Sequence, residues 1–410
     1  MISTVSSGDI TYPRQRAGNH RKKTFFVNLL ITGLLTELLT HYSANVKRHL
    51  GNLWAKFGQP TEIKMKHFVR NGILALSLAV TAGAPLPAQT AEPQSSAVVV
   101  MYHRFGESVH PSTNIRLDQF EAHLAELSKP QYNVLPIPEI IARLRAKQPL
   151  SGRTVGISID DAFLSVYAEA FPRLKKAGFP FTLFVATNPV DRGIGGYMSW
   201  DQIRELKKAG ATIGSQTHTH LHMASTSPEQ NRADLQKSNE LFRAELGEAP
   251  TMIAYPYGEF SLAVGAVVKE AGHATGFGQH SGVLHPDADM AYLPRFAMNE
   301  NFGGDSRFRL AVNALPLNVF DVSPLDPMLK RENNPPLLGF TVNGPADQRL
   351  SRLACYASGQ GKVRLERLGS RVEVRLENAF PSGRARINCT MPTREGRWHW
   401  YGLQFYVPKG

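Results

Sequence analysis

Short β-rich runs alternate with helical periods through the middle of this 410-residue chain. Apolar runs typical of buried strands occupy residues 154–159, 181–186, 211–215 and 252–255. Helical periods lie among them, at residues 117–127, 138–147, 166–177, 200–209 and 228–246. Strands that alternate with helices usually pair in parallel, so the pattern predicts an α/β fold with a barrel-like parallel sheet.

Two of the helices carry clear start signals. Ser199 is followed three positions later by Gln202, and Ser227 is followed by Pro228 and then by Gln230. A Ser side chain at the position before a helix accepts a hydrogen bond from the third helical N–H, while Gln reaches back to the Ser backbone. Both patterns predict capping boxes, and Pro suits the first helical position.

The pattern changes near residue 329. Asn and Pro at positions 333–336 indicate a boundary, and alternating stretches at 362–368, 371–376 and 384–390 predict strands. We therefore predict a domain at 97–329 and a small antiparallel, β-sandwich-like domain at 330–410. The second domain ends in aromatic residues that belong either to its core or to a platform for sugar rings: Trp398, Trp400, Tyr401, Phe405 and Tyr406.

Most of the positive charge lies near the N-terminus. The formal net charge is +12, but residues 1–64 hold nine Lys or Arg against three acidic residues, and Lys66 and Arg70 add two more. The remainder carries +4 with dispersed basic residues, so we predict no nucleic-acid partner.

Residues 65–88 run from basic to apolar to small residues, which is typical of a secretory signal peptide. We predict a signal at 65–88, a linker at 89–96, and a periplasmic or secreted protein with no stable membrane span after processing. Residues 1–64 are either the product of a wrongly assigned start upstream of Met65 or a membrane-associated extension. In an exported protein Cys355 and Cys389 would form a disulfide, with two buried thiols as the alternative.

Paired carboxylates follow one of the predicted strands. Asp160 and Asp161 come directly after residues 154–159, and catalytic groups of parallel barrels lie at the carboxyl ends of strands. One carboxylate of such a pair can bind a metal while the other accepts a proton from water. The alternative is a turn in which Asp caps the next helix.

Histidines cluster after another strand, which opens at the same rim. His218, His220 and His222 follow residues 211–215, and neutral imidazole is a common ligand of zinc-like ions. Together with the aspartates, the cluster predicts a hydrolytic site that holds a divalent metal, with Zn²⁺ as the expected ion. A solvated His-rich turn is the alternative.

These segments resemble a known family. Ser158-Ile159-Asp160-Asp161, the histidine run, Ala254-Tyr255-Pro256-Tyr257-Gly258 and Met101-Tyr102-His103-Arg104-Phe105 are similar, in order and spacing, to the NodB-type polysaccharide deacetylases of carbohydrate esterase family four. The last of them resembles the branch that contains poly-N-acetylglucosamine deacetylases. The resemblance spans about residues 97–300.

The resemblance implies a distorted (β/α) barrel that removes acetyl groups from N-acetylated sugars at an Asp-His-His metal site. It makes Asp160 the general base and Asp161 a metal ligand. The backbone N–H of Tyr257 would stabilise the oxyanion, a contribution of roughly 3–4 kcal/mol in such sites.

The histidine run departs from the family pattern. The family's His-Ser/Thr-x-x-His motif fits either His218 with His222 or, by the flanking residues, Gln216 with His220. The flanks favour His220 as a ligand, and they put a poor ligand, Gln216, at the first position. His218 or His222 would then substitute, or metal would bind weakly.

Two further positions also depart from the family pattern. Tyr255 stands where many members have an Arg that orients the catalytic Asp, and Arg295 is the expected replacement. The segment that supplies the family's general acid is not recognisable, so His280 is the candidate that protonates the leaving amine.

Three functions remain open on these residues. The leading one is a metal-dependent deacetylase of an N-acetylglucosamine-containing polysaccharide or oligosaccharide. A non-catalytic glycan-binding protein would result if Gln216 abolished metal binding. A small-acyl amidase or esterase would need a closed pocket, whereas a polymer needs an open groove.

Overall fold

The structure, a computed structural model, describes residues 95–409, except for the side chains of residues 345–348. The predicted extension and signal peptide lie outside the described residues. Within residues 95–409, no helix is long and apolar enough to cross a bilayer.

The first part of the described chain alternates strands and helices. Its strands are β1 (Ala97–Tyr102), β2 (Arg104–Phe105), β3 (Asn114–Ile115), β4 (Asn133–Val134), β5 (Thr154–Asp160), β6 (Thr182–Val185), β7 (Thr212–Ser215), β8 (Met252–Ala254), β9 (Thr275–Phe277) and β10 (Phe296–Ala297). Its helices are α1 (Leu117–Leu127), α2 (Ile137–Arg145), α3 (Phe171–Ala177), α4 (Thr187–Asp191), α5 (Trp200–Lys208), α6 (Pro228–Leu246), α7 (Leu262–Glu270) and α8 (Asp305–Val312).

Eight of these strands form one parallel sheet. Its order is β10-β1-β5-β6-β7-β8-β9, and β4 pairs with β5. The two ends of the sheet approach each other, because Leu293, just before β10, bridges to Phe277 in β9. The sheet is therefore consistent with the distorted (β/α) barrel expected from the sequence. Its central strands β1 and β5 are buried along their whole length, as parallel strands covered on both faces must be.

The local predictions for this part are confirmed within two residues. The strands predicted at 154–159, 181–186, 211–215 and 252–255 are β5 to β8, and both capping boxes are present in α5 and α6. The helix predicted at 166–177 is continuous, but its first turn, Val166–Ala170, is a π-helix. Pro172 follows at once and has no N–H for a regular i to i−4 bond, which favours such an irregular turn.

A second, mostly antiparallel sheet follows. Its strands are β11 (Leu315–Pro316), β12 (Val319–Ser323), β13 (Leu338–Val342), β14 (Ala354–Ala357), β15 (Gly361–Leu368), β16 (Arg371–Arg375), β17 (Gly383–Pro392) and β18 (Trp398–Val407). They pair along one path, β11-β18-β17-β14-β15-β16-β13-β12, around a single apolar cluster. The antiparallel domain is thus present, whereas a sandwich of two sheets is not confirmed. Its first strands begin before residue 330, where the sequence suggested the boundary.

The cysteines and aromatic residues of this second sheet mostly face its interior or the first sheet. Cys355 and Cys389 stand opposite each other on β14 and β17 and form a disulfide. Phe405 and Tyr406 are buried, and Trp400 packs edge-on against Phe296 of β10. Phe405, Tyr406 and Trp400 thus contribute to packing, whereas Trp398 is exposed.

Candidate functional site

The functional residues lie where neighbouring parallel strands end. Asp160 is the last residue of β5, Gln216 directly follows β7, and the turn Pro256–Gly258 follows β8 after one residue. Because β5, β6, β7 and β8 are successive parallel neighbours, their carboxyl ends open at one rim. The topology therefore brings the predicted carboxylates, the histidine run and the Pro-Tyr-Gly turn to one place.

Asp160 forms a bidentate ion pair with Arg295, and both side chains are fully buried. The guanidinium Nη1 donates to Oδ1 at 2.7 Å and Nη2 to Oδ2 at 2.9 Å, while Nε donates to the carbonyl of Gly278 at 2.9 Å. On the other side, Nε2 of His103 lies 3.9 Å from Oδ2 of Asp160. Such a planar fork fixes the orientation of the carboxylate as well as compensating its charge.

Asp161 faces His220. Nε2 of His220 lies 3.4 Å from Oδ1 of Asp161, and that oxygen is buried with no hydrogen bond. Burial alone would raise the pKa of Asp161, but the nearby His220 and His103 hold it below its usual value. For His220, burial favours the neutral ring, yet the attraction of Asp161 outweighs it and raises the pKa. The pair thus places a carboxylate oxygen without a hydrogen bond beside an imidazole nitrogen.

Gln216 occupies the position predicted from the flanking residues. Its side chain is fully buried beside Asp161, and its Oε1 accepts a hydrogen bond from the Asp161 backbone N–H at 2.9 Å. Its Nε2 is buried without a partner. One lone pair of the amide oxygen is thus engaged, and an amide oxygen is a poorer ligand for zinc-like ions than an imidazole.

The other two histidines have different neighbours. Nδ1 of His218 lies 2.9 Å from the hydroxyl of Thr187, and Nδ1 of His222 lies 3.0 Å from Glu259. In the described part of the chain, neither forms an ion pair with Asp161. The structure therefore does not bring His218 and His222 to the metal position that the sequence allowed for them.

Two donors, rather than three, are available for a metal ion. Within residues 95–409, no group of three or more His, Cys, Asp and Glu side chains is arranged to hold one. The unpaired Oδ1 of Asp161 and the adjacent Nε2 of His220 suit a divalent cation, but Gln216 does not supply the third ligand. The residues thus fit the predicted Asp-His-His set only in part.

The turn after β8 presents Tyr257 between the two histidines. Its ring stacks on His222 with centroids 4.1 Å apart and meets His220 edge-on at 4.6 Å. Tyr257 has a left-handed backbone with φ of 58°, and Gly258 follows with φ of 69°. A Cβ at Gly258 would lie 2.5 Å from the backbone nitrogen of Gln279, so only glycine fits there.

Strained backbone is concentrated at this rim. Asp161, Ala162, Thr217, His220 and Tyr257 all have positive φ without being glycine. Such conformations are costly for residues with a Cβ and persist where the surrounding structure enforces them, often at functional sites. Their clustering around the carboxylates and imidazoles marks this rim as the functional part of the barrel.

His280 is the general acid predicted from the sequence. It is buried, and it lines a cavity of about 300 Å³ between the two sheets, beside Tyr292 and Trp400. Burial, with Arg386 and Arg295 nearby, lowers its pKa to about 3. A ring with so low a pKa is neutral at pH 7, and its remaining N–H is too weak an acid to favour the predicted role of general acid.

Several residues at the site were not predicted from the sequence. Glu259, directly after the turn, is buried and forms an ion pair with His222. Its position next to Gly258 could have identified it as a site residue. Arg384 and Gln404, from β17 and β18, reach the carbonyl of Tyr257. They lie more than 100 positions away from it, and no local pattern marks them.

Known proteins similar to this chain include polysaccharide deacetylases. Residues 147–276 match the family model described as Polysaccharide deacetylase. The poly-beta-1,6-N-acetyl-D-glucosamine N-deacetylase of Staphylococcus aureus (strain MSSA476) is 27% identical over 202 residues, which cover 46% of this chain and 69% of that protein. The protein YxkH of Bacillus subtilis (strain 168) is 26% identical over 210 residues, or 51% of this chain and 73% of its own length. The deacetylase PplD of Streptococcus pyogenes, solved in complex with acetate, shares the fold with a TM-score of 0.50 at 20% identity, covering 53% of this chain and 99% of that chain.

Proposed function

The chain carries a polysaccharide deacetylase domain, and on this premise we propose that it hydrolyses N-acetyl amide bonds of an N-acetylglucosamine-containing polysaccharide or oligosaccharide. The observation that carries the proposal is the convergence of Asp160, Asp161, His220 and Tyr257 at one rim of the parallel barrel. The hydrolysis of an amide needs such groups: a carboxylate base (Asp160), a second carboxylate beside an imidazole (Asp161 and His220) and the strained turn at Tyr257.

Asp160 is the general base of the proposed reaction. It accepts a proton from the attacking water while the water oxygen bonds to the acetamide carbon, and the N–H of Tyr257 stabilises the oxyanion that forms. Asp160 then passes the proton to the sugar nitrogen as the C–N bond breaks, which releases acetate and a free amine. Arg295 holds the carboxylate of Asp160 in one orientation through its two hydrogen bonds.

Asp161 and His220 are the residues that would hold a divalent cation, with Zn²⁺ as the expected ion. When bound, such a cation makes water more acidic and polarises the acetyl carbonyl. The carboxylate of Asp161 supplies the negative charge, and its N–H bond to Gln216 orients the loop that carries it. With two protein donors, binding is expected to be weaker than at a three-ligand site.

The substrate is proposed to be a polymer of N-acetylglucosamine, as the printed name of the S. aureus relative describes for that protein. A groove of about 620 Å³ adjoins the site and is lined by His222, Glu259 and Tyr406. An open groove favours an extended sugar chain over a small acyl compound. The signal predicted at 65–88 supports a periplasmic or secreted location, where such polymers occur.

Acetate release tests the proposal. Purified protein is incubated with β-1,6-linked and β-1,4-linked N-acetylglucosamine oligomers, with and without added Zn²⁺ or a chelator. We expect acetate and free amine in equal amounts, loss of activity with the chelator, and at least a 100-fold loss in Asp160→Asn. A matched control is Asp201→Asn, an exposed carboxylate on α5. No acetate from any of these glycans with metal supplied would reject the proposal.

One observation favours a second candidate, a glycan-binding protein that does not hydrolyse its ligand. The amide oxygen of Gln216 already accepts a hydrogen bond from the Asp161 N–H, so the metal position has one ligand fewer than the predicted set. Metal analysis of the purified protein separates the two functions. A glycan that binds without metal and without acetate release would support this second candidate, whereas one bound divalent ion per chain with acetate release supports the deacetylase.

A further inference from the structure

We propose that Gln404 and Arg384, both in the second sheet, are positioning residues for the Pro-Tyr-Gly turn of the barrel. The inference rests on the proposed function, in which the Tyr257 N–H stabilises the oxyanion. It gives the C-terminal β domain a direct part in the reaction, because this domain supplies two side chains that hold the turn, beside the hydroxyl of Tyr292 from the barrel.

Gln404 is the main support. Its side chain is 2% exposed, and its Nε2 donates to the carbonyl of Tyr257 at 3.1 Å and to the carbonyl of Gly258 at 2.7 Å. Its Oε1 accepts a hydrogen bond from Nε of Arg386 at 3.0 Å. Because the guanidinium can only donate, the amide must direct its NH₂ group to the turn. Arg386 of β17 thus fixes the orientation of the Gln404 amide.

Arg384 acts from the solvent side of the same turn. Its Nη1 donates to the carbonyl of Tyr257 at 3.2 Å and to Oε1 of Gln279 at 3.4 Å. Its guanidinium also lies 5.7 Å from the centroid of the Tyr257 ring. Two side chains from the neighbouring strands β17 and β18, two positions apart in the pairing register, therefore meet at one backbone carbonyl.

The turn needs such support because its backbone is strained. Tyr257 has φ of 58° and ψ of 4°, a conformation that a residue with a Cβ adopts only when its surroundings enforce it. Rotation about the backbone of Tyr257 would change the direction of its N–H relative to its carbonyl. Hydrogen bonds that hold the carbonyl in place therefore also limit the direction of the N–H. An oxyanion donor is effective only when it is oriented before the charge develops.

The decisive experiment replaces Gln404 with Leu in the full chain. We expect kcat for acetate release to fall about tenfold or more, since losing an oxyanion donor altogether typically costs roughly 100- to 1,000-fold. We expect KM to change less than about twofold, because the donor acts mainly in the transition state. A methylphosphonamide analogue of the tetrahedral adduct should lose affinity by the same factor as kcat, whereas simple loss of folded protein would not change its Kd.

Asn388→Leu is the matched control. Asn388 lies on β17 and accepts a hydrogen bond from Trp400, but it does not touch the turn. The Asn388→Leu variant loses a comparable amide hydrogen bond in the same sheet, and we expect its kcat to stay within about twofold of the wild-type value. If Asn388→Leu loses kcat as Gln404→Leu does, the effect is a general loosening of the domain and the positioning role is overturned.

Arg384→Met keeps the inference testable if Gln404→Leu does not fold, because Arg384 is exposed and its replacement leaves the core intact. We expect about a threefold fall in kcat with unchanged KM. Wild-type kcat in Arg384→Met, together with wild-type kcat in any folded Gln404→Leu, would overturn the inference. Failure of the proposed function is distinct, since the wild-type protein itself would then release no acetate.

Discussion

The buried pair of Arg295 and Asp160 allows a quantitative prediction. Arg295→Met keeps most of the apolar stem but removes the guanidinium, which leaves the carboxylate of Asp160 fully buried without its cation. Breaking one side of a buried ion pair typically costs roughly 3–5 kcal/mol. Two charge-assisted hydrogen bonds and the hydrogen bond to Gly278 are lost together. We therefore expect the free energy of unfolding to fall by about 4 kcal/mol at pH 7.

Urea unfolding of wild type and variant at pH 7 measures this loss of stability. Acetate release at pH 7 should fall at least 100-fold, because the base loses the two donors that orient it.

A double variant isolates the charge. Asp160→Asn combined with Arg295→Met leaves two neutral groups, so we expect it to be at least about 2 kcal/mol more stable than Arg295→Met alone. The reasoning fails if Arg295→Met costs less than about 1 kcal/mol, or if the double variant is no more stable than the single one. Either result would mean that Asp160 is not a buried, uncompensated carboxylate in the variant.

Three further predictions concern metal binding, acid stability and the disulfide. Gln216→His adds an imidazole beside Asp161, so we expect the Kd for Zn²⁺ to fall at least tenfold in calorimetry; an unchanged Kd would mean that position 216 does not face the cation. The buried His280 has a pKa of about 3 against 6.5 for a free ring, so its contribution to stability is complete above pH 6.5 and is lost as pH falls towards 3, with an upper limit of roughly 5 kcal/mol. Urea midpoints at pH 7 and pH 4.5 should differ less in His280→Gln than in the wild type, and equal differences contradict this. Reducing the bond between Cys355 and Cys389 should lower the free energy of unfolding by roughly 2–4 kcal/mol, and an unchanged urea midpoint would be evidence against a structural role.

Local sequence patterns were sufficient for several elements of the barrel, although α7, α8, β9 and β10 were not predicted. The apolar run at 154–159 became β5, and the Ser227 and Gln230 pattern formed the capping box at the start of α6. Both depend on residues within one or two turns of each other, and such interactions are largely independent of the rest of the chain. The carboxyl-end position of Asp160 followed as well, because it needs only the strand and the parallel topology.

The partners within the site were decided by the tertiary structure. Among three histidines within five positions, only His220 faces Asp161, since its backbone adopts φ of 55° while His218 and His222 turn to Thr187 and Glu259. A shift of one rotamer or one dihedral angle redirects an imidazole by several ångströms, and residue spacing alone does not specify that angle.

Long-range contacts show the same division more strongly. Arg295 lies 135 positions from Asp160, and Gln404 lies 147 positions from Tyr257. The sequence by itself determined which segments become strands and helices, and therefore which residues reach the rim of the barrel. Only the closure of the barrel and the packing of the second sheet decided which of these residues touch, because such contacts depend on the summed geometry of every element between them.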